Sequence, residues 1–192
     1  MKFMFFFALA LIGLARPSFA QDLQPAKLHR LSVGDTVPDI FFLLWNEKAP
    51  IKLSDHTGKL VILDFWATWC SSCVRMFPKY DSLENQFSGQ IKFLLVNSVR
   101  GTLDSIPQLQ TFFRRWQTVK GKPFPLTTAI NDTTAFKLFP HIYIPHYVWI
   151  SANRKILGIT SAEALTTGNI QEALKGQILK EPIKDDRYDR DN

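Results

Sequence analysis

The fold is decided by the stretch LVILDFWATWCSSC, residues 60–73. Its first part, residues 60–66, is a continuous apolar run interrupted by one acid, and such a run is typical of a central strand buried on both faces. Apolar residues then recur at helical spacing over residues 71–87, namely Cys73, Met76, Phe77, Tyr80, Leu83 and Phe87. The stretch therefore predicts a buried strand that passes through a short turn into a helix.

The elements around this junction alternate between the two periodicities. Strand patterns occupy residues 37–45, 51–53, 91–96, 147–150 and 156–160, and helical patterns occupy residues 106–119, 133–139 and 168–178. This order predicts one α/β domain with a mixed sheet and a leading β-hairpin. We place this domain at residues 33–179, after a loosely held leading segment at residues 21–32. The charged tail at residues 180–192 is expected to be disordered.

The first 20 residues have the organisation of a secretory signal peptide. Met1 and Lys2 give a positively charged start, residues 3–14 are apolar, and residues 18–20 form a small-x-small pattern. We therefore expect cleavage after Ala20 and an exported protein, most simply a periplasmic one. The alternative is an uncleaved membrane anchor, although a spanning helix needs about 20 apolar residues and this run is shorter.

Composition and charge exclude some classes of function. Of the 192 residues, 46% are hydrophobic and 21% are charged, which fits one globular domain. The formal net charge is +6, and the predicted signal peptide contributes two of the positive charges, Lys2 and Arg16. The other basic residues are spread along the chain without a Lys/Arg block, which argues against nucleic-acid binding. We expect the protein to act as a monomer.

The chain has only two cysteines, Cys70 and Cys73. Zinc ribbons and disulfide-rich scaffolds need more thiols, and closing so short a loop would stabilise the fold by only roughly 2 kcal/mol. At the start of a helix, however, free N–H groups and the helix dipole stabilise a thiolate. We predict a redox-active disulfide in which Cys70 is the nucleophile and Cys73 the resolving thiol, with no other cofactor.

Asp64 and two tryptophans flank this pair. Asp64 lies inside the predicted central strand. It either exchanges a proton with Cys73 through a water, or it lies at a twisted strand end where it reaches solvent or pairs with a lysine. Trp69 is expected to be exposed and to give substrates an apolar surface, whereas Trp66 is expected to pack in the core.

Pro145 precedes a predicted strand, where a cis peptide bond is plausible. A cis proline facing the cysteines would expose the Ile144 backbone to an incoming substrate strand. The alternative is an ordinary trans proline in a turn, and the local sequence alone favours it, since only about 5% of X–Pro bonds are cis.

The segment at residues 63–73 closely resembles the active-site segment of thioredoxins, and the match extends to Pro78, eight residues after Cys70. The motifs at residues 33–39 and 53–59 resemble the TlpA/ResA branch of exported thioredoxin-like reductases, and the helix at residues 106–119 resembles the insertion of that branch. The resemblance implies a thioredoxin fold with an N-terminal hairpin and a helical insertion, and thiol–disulfide exchange as the activity.

The resemblance also implies site residues, with two departures. Pro145 becomes the cis proline that faces the cysteines, and Asp64 becomes the buried acid of thioredoxins. Ser71 and Ser72 replace the Gly-Pro or Glu-Pro pair between the cysteines, and Met76 replaces an acid of ResA-type proteins. Asp64 is therefore the remaining candidate for proton transfer.

Two other functions compete with thiol–disulfide exchange. A Cu(I) or other metal carrier could use Cys70 and Cys73 with His146, since soft thiolates suit Cu(I), although His146 is more simply a bystander. A thiol peroxidase would share the leading hairpin but needs a loop that residues 65–70 lack. We expect protein disulfides as substrates and, because Ile144 before Pro145 matches thioredoxins, a reductant. A reductant in an oxidising compartment needs an electron donor, which we expect to be a membrane protein.

Overall fold

A computed structural model of the chain describes residues 29–184. The predicted signal peptide and most of the leading segment at residues 21–32 lie outside the described residues. Within residues 29–184, none of the helices has both the length and the apolar character that crossing a bilayer requires. The elements are β1 (Phe41–Phe42), β2 (Ile51–Lys52), β3 (Leu60–Phe65), α1 (Ser71–Gln86), β4 (Ile91–Val96), α2 (Val99–Thr102), α3 (Ile106–Lys120), β5 (Thr128–Ala129), α4 (Thr134–Leu138), β6 (His146–Ile150), β7 (Ile156–Thr160) and α5 (Thr167–Leu174).

The main sheet has its strands in the order β5-β4-β3-β6-β7. The central strand β3 pairs parallel with β4 and antiparallel with β6, and all of its residues are buried, as its apolar run predicts. Strands β1 and β2 form the predicted N-terminal hairpin. The α3 helix is the predicted insertion. The architecture is the thioredoxin fold that the sequence predicts.

Alternation along the strands divides the core between the two faces of the sheet. One face, which we call the α1 face, carries Ile62, Trp66 and Tyr147 and packs against helices that include α1 and α3. The other, which we call the hairpin face, carries Leu63 and Phe65 and packs against the N-terminal hairpin and α4. The turn after β3 delivers both cysteines to the α1 face.

Several elements differ from the prediction, among them the leading strand, which covers only Phe41–Phe42 of the predicted residues 37–45. The last helix ends at Leu174 rather than at Ile178, because Gly176 adopts a left-handed φ of 76°, the conformation that ends many helices. Strand β5 and helix α2 were not predicted, since elements of two and four residues are too short to show a periodic pattern.

The expectation that residues 180–192 are disordered is wrong for residues 180–184. The backbone N–H of Lys184 donates to the carbonyl of Ile159 at 2.9 Å, so this segment lies beside β7. Its charged composition gave no sign of this contact, because a backbone hydrogen bond needs no apolar side chain. Residues 185–192 lie outside the described residues.

Candidate active site

Cys70 and Cys73 form a disulfide at the N-terminus of α1. Cys70 is the N-cap of this 16-residue helix, and its sulfur accepts the backbone N–H of Cys73 at 3.2 Å and lies 3.3 Å from Oγ of Ser72. Cys70 is 5% exposed and Cys73 is fully buried. The outer sulfur therefore lies at the positive end of a helix dipole, while the inner sulfur is closed off from solvent.

The turn that leads into the disulfide is held by two residues that sequence analysis missed. The buried carboxylate of Asp104 accepts the backbone N–H and the hydroxyl of Thr68 at 2.7 and 2.6 Å, and the side-chain amide of Asn97 at 2.8 Å. The carbonyl of Thr102 accepts the indole N–H of Trp69 at 2.9 Å. These contacts fix the turn to the end of α2 and to the loop that follows it. No local sequence signal indicates them.

The two tryptophans occupy the positions that the sequence predicts. Trp66 is fully buried, whereas Trp69 is 63% exposed although its indole N–H is bonded. Leu103 follows the carbonyl that anchors Trp69 and is 82% exposed. It has a left-handed φ of 60°, which is uncommon for a bulky side chain. The surface next to the disulfide thus carries the exposed indole of Trp69, which its hydrogen bond fixes, and the exposed side chain of Leu103 follows the carbonyl that anchors it.

Asp64 is fully buried on the α1 face, so the alternative in which it reaches solvent is wrong. The hydroxyl of Tyr80 donates to Oδ2 of Asp64 at 2.9 Å, and Oδ1 is buried without a hydrogen-bond partner among residues 29–184. Burial raises the pKa of the Asp64 carboxyl well above its usual range, and the Tyr80 hydrogen bond and the charge of Lys184 lower it only in part. Asp64 is therefore a buried carboxyl group whose ionised form is disfavoured by its surroundings.

Tyr80 and Tyr147 form a hydroxyl pair beside Asp64. Their oxygens are 2.6 Å apart, and burial raises the pKa of both phenols, so both stay protonated. Because Tyr80 donates its proton to Asp64, Tyr147 donates to Tyr80. Sequence analysis treated Tyr80 only as a core position, although a buried tyrosine hydroxyl usually requires a partner.

The peptide bond between Ile144 and Pro145 is cis, as the resemblance implied. Pro145 immediately precedes β6, whose first residue, His146, pairs with Phe65 at the end of β3. Since the chain leaves β3 at this end to reach Cys70, the proline and the disulfide lie at the same edge of the sheet.

The loop that contains the cis proline is held from the C-terminal segment. The ammonium group of Lys184 donates to the carbonyl of Tyr143 and to that of Pro145 at 2.9 Å. The two carbonyls flank Ile144, so one side chain fixes the backbone on both sides of that residue. Sequence analysis missed Lys184 because it lies in the segment expected to be disordered.

His146 does not join the cysteines. Its ring stacks on His141 with centroids 4.5 Å apart and meets the edge of Phe65, which places it on the hairpin face. Among the residues that the structure describes, no three side chains of the His, Cys, Asp and Glu types are grouped as metal ligands. The three-ligand metal site considered from sequence is therefore not assembled.

Comparison with known proteins agrees with this geometry. The thioredoxin family model matches residues 49–109. The thiol-disulfide oxidoreductase ResA of Geobacillus thermodenitrificans is 40% identical over 157 residues, which are 80% of this chain and 75% of that protein. ResA of Geobacillus kaustophilus is 41% identical over 158 residues, with the same coverage.

Solved structures share the fold. A thiol:disulfide interchange protein DsbE from Chlorobium tepidum is 26% identical, with a TM-score of 0.56 over 77% of this chain and 96% of that one. The lipoprotein thioredoxin Etrx1 of Streptococcus pneumoniae is 23% identical, with a TM-score of 0.57 over 72% of this chain and 99% of that one, and shares the fold. With its paired cysteines at the start of α1, the chain belongs to the ResA-like thiol-disulfide oxidoreductases of the thioredoxin fold.

Proposed function

We propose that this protein reduces disulfide bonds of other proteins outside the cytoplasm, with Cys70 as the nucleophile and Cys73 as the resolving thiol. The observation that carries the proposal is the position of the Cys70 sulfur as the N-cap of a long helix, 3.2 Å from the N–H of Cys73. These contacts stabilise the thiolate more than the thiol, and the thiolate is the form that attacks a disulfide.

The reaction transfers two electrons from the reduced cysteine pair to the substrate. The Cys70 thiolate attacks one sulfur of the substrate disulfide, whose S–S bond breaks as the other sulfur leaves and takes up a proton. The Cys73 thiol then loses its proton and attacks Cys70 in the mixed disulfide. The second substrate sulfur leaves as a thiolate, and the protein is left with the Cys70–Cys73 disulfide.

Asp64 accepts the proton of Cys73 in this scheme, through a water. Two observations support the role: the carboxyl group is buried on the same face of the sheet as Cys73, and its raised pKa brings it closer to that of a thiol. The Tyr80 hydroxyl holds Oδ2 of Asp64, which leaves Oδ1 to exchange the proton.

The substrate contacts the cis-proline loop and the exposed indole beside the disulfide. The backbone of Ile144 pairs with an extended substrate segment as an added strand would, while Pro145 keeps metals away from the sulfurs. Trp69 offers a fixed apolar surface to the same segment.

The proposal also covers the compartment in which the protein works, the source of its electrons and its oligomeric state. The predicted signal peptide supports export to the periplasm. Because that compartment is oxidising, a membrane protein must resupply two electrons after each cycle. We further propose that the protein acts as a monomer and needs no cofactor beyond its own disulfide.

Cysteine variants and a redox titration test this function. We expect Cys70→Ser to abolish insulin reduction, and Cys73→Ser to accumulate mixed disulfides with substrate, visible as gel bands that dithiothreitol removes. For a reductant, the reduction potential of the cysteine pair should be about −270 mV. For an oxidant, the potential would be about −120 mV. Insulin reduction by Cys70→Ser would overturn the assigned roles.

A further inference from the structure

A groove of about 510 Å³ opens directly beside the disulfide. Its lining includes Trp69 and Ser71, on either side of Cys70 in the sequence, and Phe112 and Trp116 of α3. The groove thus lies between the site of disulfide exchange and the inserted helix.

The rim of this groove is positively charged. Arg75 from α1 and Arg115 and Lys120 from α3 line it, and none of its lining residues is acidic. The α3 sequence, IPQLQTFFRRWQTVK, contains three cations and no acid. Among residues 29–184, no carboxylate forms an ion pair with Arg75, Arg115 or Lys120.

The floor of the groove is apolar and held in place. The indole of Trp69 is fixed by its hydrogen bond to Thr102 while its ring stays exposed. Trp116 packs against Phe77 and Phe112 in the core. A preformed aromatic surface binds a side chain at a low cost in conformational entropy.

We propose that this groove binds the part of a protein substrate that flanks the target disulfide, and that it selects segments with carboxylate side chains next to an apolar one. The inference rests on the proposed function and names its substrate class. Arginine pairs with carboxylates in a planar, two-bonded geometry. The apolar side chain would occupy the aromatic floor, and the acidic side chains would meet the cationic rim.

Three disulfide-containing peptides test this selection. Each has a phenylalanine beside the disulfide, followed by two glutamates, two glutamines or two lysines. Full-length protein is reduced with dithiothreitol, freed of excess reductant and mixed with each peptide, and the rate constant of peptide reduction is measured. We expect the glutamate peptide to be reduced about 5-fold faster than the glutamine peptide at low ionic strength, with the ratio falling in high salt.

Two adjacent arginines supply a matched pair of variants. Arg115→Glu reverses a charge on the rim and should abolish the ratio between the glutamate and glutamine peptides. Arg114→Glu makes the same charge change on a residue that lines a different groove, with Trp45 and Gln110, and should keep the ratio. An equal loss in both variants, or equal rates for all peptides with the wild type, would overturn the inference.

The outcomes also separate this inference from the proposed function. If the reduced wild type fails to reduce the glutamine peptide and the uncharged 2-hydroxyethyl disulfide, the proposed function fails as well. If it reduces all the probes at similar rates, only the groove assignment fails. A ratio that appears only after Asp185, Asp186, Asp189 and Asp191 are replaced by asparagine would instead assign the groove to the chain's own acidic C-terminus.

Discussion

Two aspartates near the disulfide are equally buried and differ in their partners. Asp64 and Asp104 are both 0% exposed. The carboxylate of Asp104 accepts three hydrogen bonds, two from Thr68 and one from Asn97. The carboxyl group of Asp64 accepts one, from Tyr80, and its Oδ1 has no partner among the described residues.

Hydrogen bonding, rather than burial, distinguishes the tasks of these two acids. A carboxylate that accepts several N–H and O–H bonds ties together the groups that donate them and can hold a turn in place. A carboxyl group with a single bond and a raised pKa is poorly stabilised as an anion, so it can take up and release a proton. Asp104 therefore positions the turn before Cys70, and Asp64 is suited to proton transfer.

The largest effect should come from Asp104→Ala. The substitution leaves the N–H and hydroxyl of Thr68 without their acceptor and removes one of the two acceptors of the Asn97 amide. We therefore expect a loss of about 3–5 kcal/mol in the free energy of unfolding. Urea unfolding of the oxidised protein measures it. Asp104→Asn, which keeps one acceptor, should lose less, and Asp81→Ala, at an exposed position, should change little. An equal loss in Asp104→Ala and Asp81→Ala would refute the positioning role.

Asp64→Asn should raise the free energy of unfolding, whereas Asp104→Ala should lower it. The pKa of Asp64 is raised in the folded state, whereas in the unfolded state it is about 3.9. Below about pH 4 the group is protonated in both states and costs nothing. As the pH rises from there to the folded-state pKa, the unfolded state releases its proton first, so the free energy of unfolding falls.

Asparagine cannot ionise, so the free energy of unfolding of the variant does not fall with rising pH in this way. The difference in the free energy of unfolding between Asp64→Asn and wild type should grow by about 1–3 kcal/mol in favour of the variant from pH 4 to pH 8. Urea unfolding of the oxidised proteins at both pH values measures it. Asp81→Asn is the control at an exposed position. A difference from wild type that is the same at both pH values would show that Asp64 ionises normally in the fold.

The elements that local sequence determines were predicted closely. Strands β4 and β7 begin and end at the predicted residues, and the main helix was predicted to within one residue, because each is a strong periodic run. The cysteine pair and the buried acid were found for a similar reason, since an acid inside an apolar strand and two cysteines at a strand–helix junction are visible locally.

The partners of the site residues were not predictable in this way. Tyr80 meets Asp64 across 16 residues and Tyr147 across 67, and Asp104 meets Thr68 across 36. Such contacts depend on which helix lies over which strand, and the residue types give no sign of the pairing. A tyrosine on an apolar helix face indicates only that its hydroxyl needs a partner.

A smaller effect is expected for Lys184→Met, which removes a positive charge that favours the ionised form of Asp64. That charge lowers the pKa of Asp64, so the variant should raise it further. The change should be visible in the carboxyl chemical shift of Asp64 followed by NMR across pH. Because the lysine also bonds the carbonyls of Tyr143 and Pro145, its loss frees the loop around Ile144. We expect kcat/KM for insulin reduction to fall about 2–5-fold, equivalent to less than about 1 kcal/mol.

Lys180→Met is the matched control, since it removes the same charge from an exposed position on the same segment. If both variants shift the pKa of Asp64 equally, the effect is one of net charge. If Lys184→Met alone shifts the pKa and slows the reaction, the C-terminal segment acts on both sides of the site, through the proline loop and through the charge that Asp64 experiences. Asp104 would then remain the acid governed by its hydrogen bonds, and Asp64 the one that responds to a charge from outside its hydrogen-bonded pair.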